Sequence, residues 1–340
     1  MKIFAFNDKL DNPSEHGSFT VVSRKLNEQF CKLGVLGDPK DPECFVIYCE
    51  VFDTAQKWQR HIPYLACEYS MTPTVVIHKL NYYKPLVLSI SEFAKHNLIN
   101  SGYHNVKAIH LGTSPDCWFK TDDAKFDTFT YLTVNTSNER SGYESLIPSF
   151  IEFSKNKNVK LIIKDQENTA FRKFIEKLNC NKIEYIGKPF SEEELRVLYN
   201  KSHLFIYANN TTSFGMNAMD SVLCGTPCIT TYGSALKEFI PEWSQPIKIR
   251  TEMKCLDENS IKEWTKIGIN CFPPDFLNFF SGKIYGERVL KEDILEALEY
   301  SYYNYKEYLS IASRHKQFIL ENYTWEKCAN KIIEKLNNYV

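Results

Sequence analysis

The chain has 340 residues, 43% of them hydrophobic and 24% charged, which is enough for two domains with separate cores and too apolar for a disordered protein. Its 41 basic residues against 42 acidic leave no net field to drive the whole molecule onto nucleic acid or an anionic membrane. The apolar runs are strand-length, far short of the roughly 20 residues that cross a bilayer, and the amino terminus turns polar at Asn7-Asp8 before a signal-peptide core can form, so a cytoplasmic protein without a transmembrane segment is expected.

In chain order, hydrophobic periodicity predicts strands at 2–7, 44–50, 62–67, 85–90 and 106–111, with helices at 20–33 and 91–101. Ser91 opens the second of these helices and Gly102 closes it. Periodicity stops over 113–126, which reads as a linker. Beyond it strands are expected at 128–134, 159–164, 183–186, 203–207 and 227–231, and helices at 143–154, 170–178, 192–199 and 216–223. Residues 290–340 are almost wholly helical in pattern, whereas 257–282, with Trp264 and Pro273-Pro274, gives no assignable element. Two runs of short strands alternating with amphipathic helices predict an α/β protein of two doubly wound, Rossmann-like parallel-sheet domains, with ligands at the carboxyl ends of the strands. The boundaries read as 1–120, 127–315 and a carboxy-terminal helix, 316–340, packing back on the first domain. Eleven cysteines are an odd number and no CxxC pair or Cys/His ligand spacing occurs, so reduced, mostly buried thiols are expected, with no metal site.

The segment from 202 to 229 carries most of the chemistry. A buried strand ending at Tyr207 leads through a polar loop, 208–211, into Thr212-Ser213-Phe214-Gly215-Met216 and a helix. A helix start offers amides and partial positive charge, and Gly215 admits a ligand close to the backbone, so an anion such as a phosphate suits the position. Asp220 lies about one turn into that helix. The same strand-loop-helix also serves as ordinary structure, and spacing alone does not separate the two readings.

The segment resembles the donor-binding signature of the retaining nucleotide-sugar glycosyltransferases of family 4. In that family two acids bracket a Gly-Phe-Gly turn, and Gly-Thr-Pro follows. Phe214, Gly215, Asp220 and Gly225-Thr226-Pro227 match, while Thr212 and Ser213 stand where the family has its first acid and first glycine. The resemblance extends to Gly187-Lys188-Pro189-Phe190-Ser191, to Tyr323-Thr324-Trp325-Glu326, and to the stretches 88–95, 101–103 and 109–112 with Phe119. It implies the B-type fold, two Rossmann-like domains facing each other across a cleft. It also implies transfer of a sugar from a nucleotide-diphosphate donor to an acceptor hydroxyl with retention, without metal or cofactor.

By the same resemblance Arg140, with Ser141 at the expected lysine, and Lys164 are candidates for the leaving diphosphate. Lys188 and Pro189, with 212–216 and Asp220, fall on the donor side. The loop after the first strand offers His16 as a catalytic candidate and Gly17 and Ser18 as phosphate contacts. Glu68 is a candidate acceptor-side carboxylate. The acceptor class stays open among a glycan, a glycoprotein and a modified nucleic acid. Chains this rich in Lys, Asn, Ile and Tyr come from AT-rich genomes, viral ones included, in which case the host cytoplasm is the expected location and a modified DNA base an acceptor. Residues 1–120 hold 13 basic against 12 acidic residues, which weakens that DNA reading. A degenerate nucleotide-sugar-binding protein is the non-enzymatic alternative. A dehydrogenase is excluded by the lack of G-x-G-x-x-G after the first strand.

Overall fold

The computed structural model describes residues 1–7, 18–49, 60–271, 274–280 and 282–339. They form two compact units: 1–113 with 279–281 and 322–340, and 114–278 with 282–321.

The first unit is built on β1 (Ile3–Phe6), α1 (Ser18–Lys32), β2 (Phe45–Cys49), β3 (His61–Leu65), α2 (Thr74–Tyr83), β4 (Val87–Ser89), α3 (Glu92–Asn100) and β5 (Val106–Ala108). The five strands pair in parallel in the order β1-β2-β3-β4-β5. A single parallel bridge from Ile3 to Leu36 lies on the opposite edge of β1 from β2. The chain therefore steps one way from β1 after α1 and the other way afterwards, which makes the end of β1 the point where the winding reverses. Ser91 caps α3 by accepting from the Ala94 amide at 3.0 Å, and Gly102 follows with φ +96°. The sequence pattern contains no forecast of α2. Its run Thr74-Val75-Val76-Ile77 is β-branched, and burial of only Ile77 and Leu80 leaves too short a periodic stripe to read.

The second unit contains β6 (Phe129–Val134), α4 (Tyr143–Ser154), β7 (Val159–Lys164), α5 (Thr169–Lys177), β8 (Ile183–Ile186), α6 (Glu192–Lys201), β9 (Leu204–Tyr207), α7 (Met216–Leu223), β10 (Cys228–Thr230) and α8 (Leu236–Phe239). Its parallel sheet has the order β10-β9-β6-β7-β8. The chain winds outward from β6 through β7 and β8, then crosses back to lay β9 on the other side of β6. Residues 257–282, unassigned by sequence, stand inside a two-stranded antiparallel ribbon of β11 (Thr251–Cys255) and β12 (Tyr285–Val289), with α9 (Glu258–Lys266) between its strands. The two strands, Thr251-Glu252-Met253-Lys254-Cys255 and Tyr285-Gly286-Glu287-Arg288-Val289, hold too few apolar residues to show a strand pattern, which is why the sequence hides them.

Three helices finish the chain: α10 (Lys291–Tyr303), α11 (Tyr305–Asn322) and α12 (Trp325–Asn337). α10 packs on α4, and the buried Tyr131 hydroxyl of β6 donates to the Leu298 carbonyl at 2.9 Å. α12 packs on α1 in the first unit. Residues 114–126 have no regular element and lie along α6, where the Thr121 amide donates to Asn200 Oδ1 at 2.8 Å and Arg196 covers the Phe119 ring at 4.5 Å. All eleven cysteines are free thiols and six are buried. Among the described residues no helix is long and apolar enough to cross a membrane.

Two histidines of the second unit are held neutral. Burial pushes His315 down to about 4, and its Nε2 lies 3.2 Å from the Phe239 carbonyl. Burial and then the charge of Lys125 push His203 down to about 4, while its Nδ1 accepts from the Thr130 amide at 3.1 Å. Between pH 6.5 and about 4 the unfolded chain binds more protons at these sites than the native one, so stability falls as pH falls through that window. For fully buried His315 the loss at pH 5 is about 2 kcal/mol. Urea unfolding at pH 7 and pH 5 checks this: His315→Gln, which keeps an N–H for the Phe239 carbonyl, is expected to lose less than the wild type by about that amount.

Candidate functional site

In a parallel sheet every strand delivers its following loop to the same edge, and the loops part where the winding reverses. In the second unit that point lies between β6 and β9. The two loops flanking it are 135–142, leading into α4, and 208–215, leading into α7.

These loops are tightly joined. Gly142 caps α4 with φ +66°, and a Cβ there would overlap the Ala208 carbonyl oxygen, so only glycine fits. Asn135 Nδ2 donates to Asn209 Oδ1 at 2.6 Å, and the Asn210 amide donates to the Arg140 carbonyl at 2.8 Å. Asn217 in the first turn of α7 donates to the Val134 carbonyl at 2.9 Å, fixing that helix start over the end of β6. Gly215, with φ +123°, occupies the N-cap of α7, and no side chain caps it. Gly215 and the start of α7 thus present main-chain amides and the positive end of the helix dipole at the loop junction.

The cations stand around the same edge. Arg140 is partly exposed, 30% by side chain; its amide donates to Asn138 Oδ1 at 3.1 Å and its Nε lies 3.6 Å from buried Glu139. Lys164, the last residue of β7, is buried; its Nζ donates to the Asp165 carbonyl at 2.8 Å and lies 5.0 Å from the centroid of the Phe190 ring. Burial pushes its ammonium below the usual lysine range, against the opposing charges of Asp165 and Glu194. Lys188 and Pro189 are exposed in the loop after β8, with Lys188 Nζ at 5.1 Å from the same Phe190 ring. Burial raises the Asp165 carboxyl, although the Ser137 amide at 3.0 Å and the Tyr185 hydroxyl at 3.2 Å donate to it.

Thr212 and Ser213 are buried. The Thr212 amide donates to Ser234 Oγ at 3.1 Å and its carbonyl accepts from the Ala235 amide at 3.2 Å, which ties this loop to the turn after β10. Ser213 Oγ is buried with no hydrogen-bond partner among the described residues. Phe214 packs on Phe239 with centroids 4.8 Å apart and the rings tilted by 30°, and Met216 opens α7 half-buried. Asp220 is buried one turn farther along, and its charge raises the phenol of Tyr199 and the thiol of Cys224, both of which burial already lifts.

Arg140, Lys164, Lys188, Pro189 and 212–216 thus follow successive strand ends of one sheet, although they span 77 positions of sequence. His16 and Gly17 lie outside the described residues. Ser18 is the exposed first residue of α1, and Glu68 is half-buried after β3; both belong to the first unit. Sequence reading passed over Asn209, Asn210, Glu139, Glu144 and Arg288. The one available signal was two adjacent amides directly after a fully apolar strand, where side chains that bond backbone are favoured.

Residues 118–251 match the family model of group 1 glycosyl transferases. No curated protein matches the sequence significantly. Among solved structures, a glycosyltransferase from Rickettsia africae ESF-5 is similar with a TM-score of 0.62 and 13% identity, covering 96% of this chain and 83% of that one. Anabaena HepE in complex with UDP-glucose gives a TM-score of 0.60 at 12% identity, covering 82% and 72%. Sucrose-phosphate synthase from Thermosynechococcus elongatus gives 0.58 at 14%, covering 82% and 67%. The chain thus has the B-type glycosyltransferase fold of two Rossmann-like domains, and within its second unit residues 118–251 are similar to the group 1 glycosyl transferases.

Proposed function

We propose that the protein transfers a sugar from a nucleotide-diphosphate donor to an acceptor hydroxyl with retention of configuration and without a metal ion. The observation that carries this reading is the junction at the winding reversal, where the α7 start at Gly215, with no side-chain cap, stands in a loop bonded to the one carrying Arg140. An anion held there meets main-chain amides, a helix dipole and a guanidinium together. The match of 118–251 to group 1 glycosyl transferases supports a diphosphate as that anion.

Departure of a nucleoside diphosphate builds negative charge on its outer phosphate, and preorganised donors aimed at that charge lower the barrier. Arg140 is the main such donor, and Lys164 adds positive charge at the neighbouring strand end. A lysine whose ammonium is already destabilised by burial gains from a phosphate beside it. The acceptor hydroxyl then attacks from the face that the leaving group departs, and its proton passes to the departing phosphate oxygen. Asp220 holds the ribose hydroxyls, and Lys188-Pro189 flank the donor. UDP-glucose is bound by HepE, so UDP-sugars head the donor classes to try. A second reading, binding without transfer, is favoured by Thr212 at the position of the family's first acid. Release of labelled sugar, to water or to an acceptor, separates the two.

A thermal-shift screen of nucleoside diphosphates and their sugars tests the site, since a ligand at a hundredfold excess over its Kd stabilises the native state by about 2.7 kcal/mol. Arg140→Ala is expected to lower turnover by about a hundredfold, and a near-wild-type rate removes that residue from the mechanism. Activity is expected to survive a chelator; loss on chelation that manganese or magnesium reverses contradicts the metal-free route. Asp220→Asn is expected to weaken donor binding by roughly 1.5–3 kcal/mol through loss of a charge-assisted hydrogen bond. Unchanged affinity with a lowered melting temperature makes Asp220 a structural residue instead.

A further inference from the structure

Asn210 is buried and its groups are spoken for by three separate stretches of chain. Its main-chain N–H donates to the Arg140 carbonyl at 2.8 Å. Its side-chain Nδ2 donates to the Glu139 carbonyl at 3.1 Å and to Glu144 Oε1 at 2.6 Å, and its Oδ1 accepts from the Val289 amide of β12 at 3.2 Å. Glu144 Oε1 also accepts from Arg288 Nη1 at 3.1 Å, and the Arg288 guanidinium lies 3.7 Å from the centroid of the Trp264 ring. Both N–H bonds of one amide and its oxygen are thus committed, to the Arg140 loop, to the first turn of α4 and to the ribbon. The orientation of that amide is fixed, since a flip sets its oxygen against the Glu139 carbonyl and the Glu144 carboxylate.

We infer that Asn210 is the positioning residue for Arg140: its carboxamide, braced by Glu144 and the β11–β12 ribbon, holds the 138–142 loop so that the guanidinium meets a bound diphosphate. This inference rests on the diphosphate reading of the site. The Arg140 main chain is gripped on both sides, at its N–H by Asn138 and at its carbonyl by the Asn210 amide, while the neighbouring Glu139 carbonyl is gripped by the Asn210 side chain. Replacing Asn210 by Asp keeps the shape, removes the donor and places a second carboxylate against Glu144. The loop then shifts, and a displacement of about 1 Å at a charged group costs on the order of a hundredfold in function. The inference also gives the ribbon a task, because Arg288 and Val289 of β12 bond directly to Glu144 and Asn210.

Calorimetric titration of the full chain with UDP, GDP and ADP provides the test, on Asn210→Asp, Arg140→Ala, their combination, and Asn210→Asp with Glu144→Gln. For the diphosphate that wild type binds best, Asn210→Asp is expected to raise Kd about tenfold or more, as is Arg140→Ala. The combined Arg140→Ala/Asn210→Asp protein is expected to bind within about twofold of Arg140→Ala alone, the non-additivity of residues acting in series. Glu144→Gln removes the second carboxylate but leaves the Glu139 carbonyl without its donor, so Kd is expected to recover only in part, staying weaker than wild type; full recovery to the wild-type Kd overturns the role of the Glu139 bond. Asn210→Ser, shorter and uncharged, carries the same comparison if the Asp variant does not fold by circular dichroism. Wild-type affinity in folded Asn210 variants beside a weakened Arg140→Ala overturns the inference, as does an Asn210 effect that persists undiminished in the Arg140→Ala background. If Arg140→Ala itself binds as wild type, or none of the three ligands binds, the diphosphate reading falls first and the inference with it.

Discussion

The contact on which the second unit's site depends is the approach of Gly142 to the Ala208 carbonyl. Two loops that leave adjacent strands of opposite winding are drawn together until there is no room for a Cβ. Loops at a winding reversal normally diverge. Here the left-handed glycine turn, with φ +66°, lets the start of α4 run against the end of β9, and polar side chains then close the gap from both sides. A larger residue at 142 meets steric overlap and an unfavourable backbone region together.

Bringing two loops so close buries polar backbone, and each such group needs a partner because an unpaired one costs about 1–3 kcal/mol. The asparagines supply them. Asn135, Asn138, Asn209, Asn210 and Asn217 each bond across or along the junction, and Asn168 ties Ser137 to the Gly268 carbonyl beyond it. An asparagine offers a donor and an acceptor on a short side chain, so it satisfies a carbonyl and an amide at once without adding charge. The positive charge nearest the junction comes from Arg140, whose Nε lies 3.6 Å from Glu139, and from Lys164 at the end of β7. Two other carboxylates of the region have their own partners: Asp165 accepts from the Ser137 amide and Tyr185, and Glu144 from Asn210 and Arg288.

The alternating strands and helices, the direction of each sheet and the Gly215 turn were legible because each rests on local pattern. Strands such as 159–164 and 183–186 are β-branched runs bounded by polar residues, and Ser91 and Gly102 mark their helix chemically. α2 was illegible because its β-branched opening mimics a strand, and the β11–β12 ribbon because its strands hold too few apolar residues to show a pattern. The candidate cations and the candidate donor loop were read from motifs, and the sheet explains why positions as distant as 140 and 215 converge. The Asn210 bridge could not be read, since its four partners lie at 139, 140, 144 and 289 and only the folded chain brings 289 beside the rest. The departures at Thr212 and Ser141 were visible in sequence, and their consequence depends on the ligand.

The most direct measurement is a crystal structure of the chain with a nucleoside diphosphate sugar bound. The account predicts the diphosphate oxygens within hydrogen-bond reach of the Arg140 guanidinium and of the main-chain amides at Gly215 and Met216, with the ribose beside Asp220. A diphosphate seated away from the β6–β9 junction, with Arg140 directed to solvent, would contradict it.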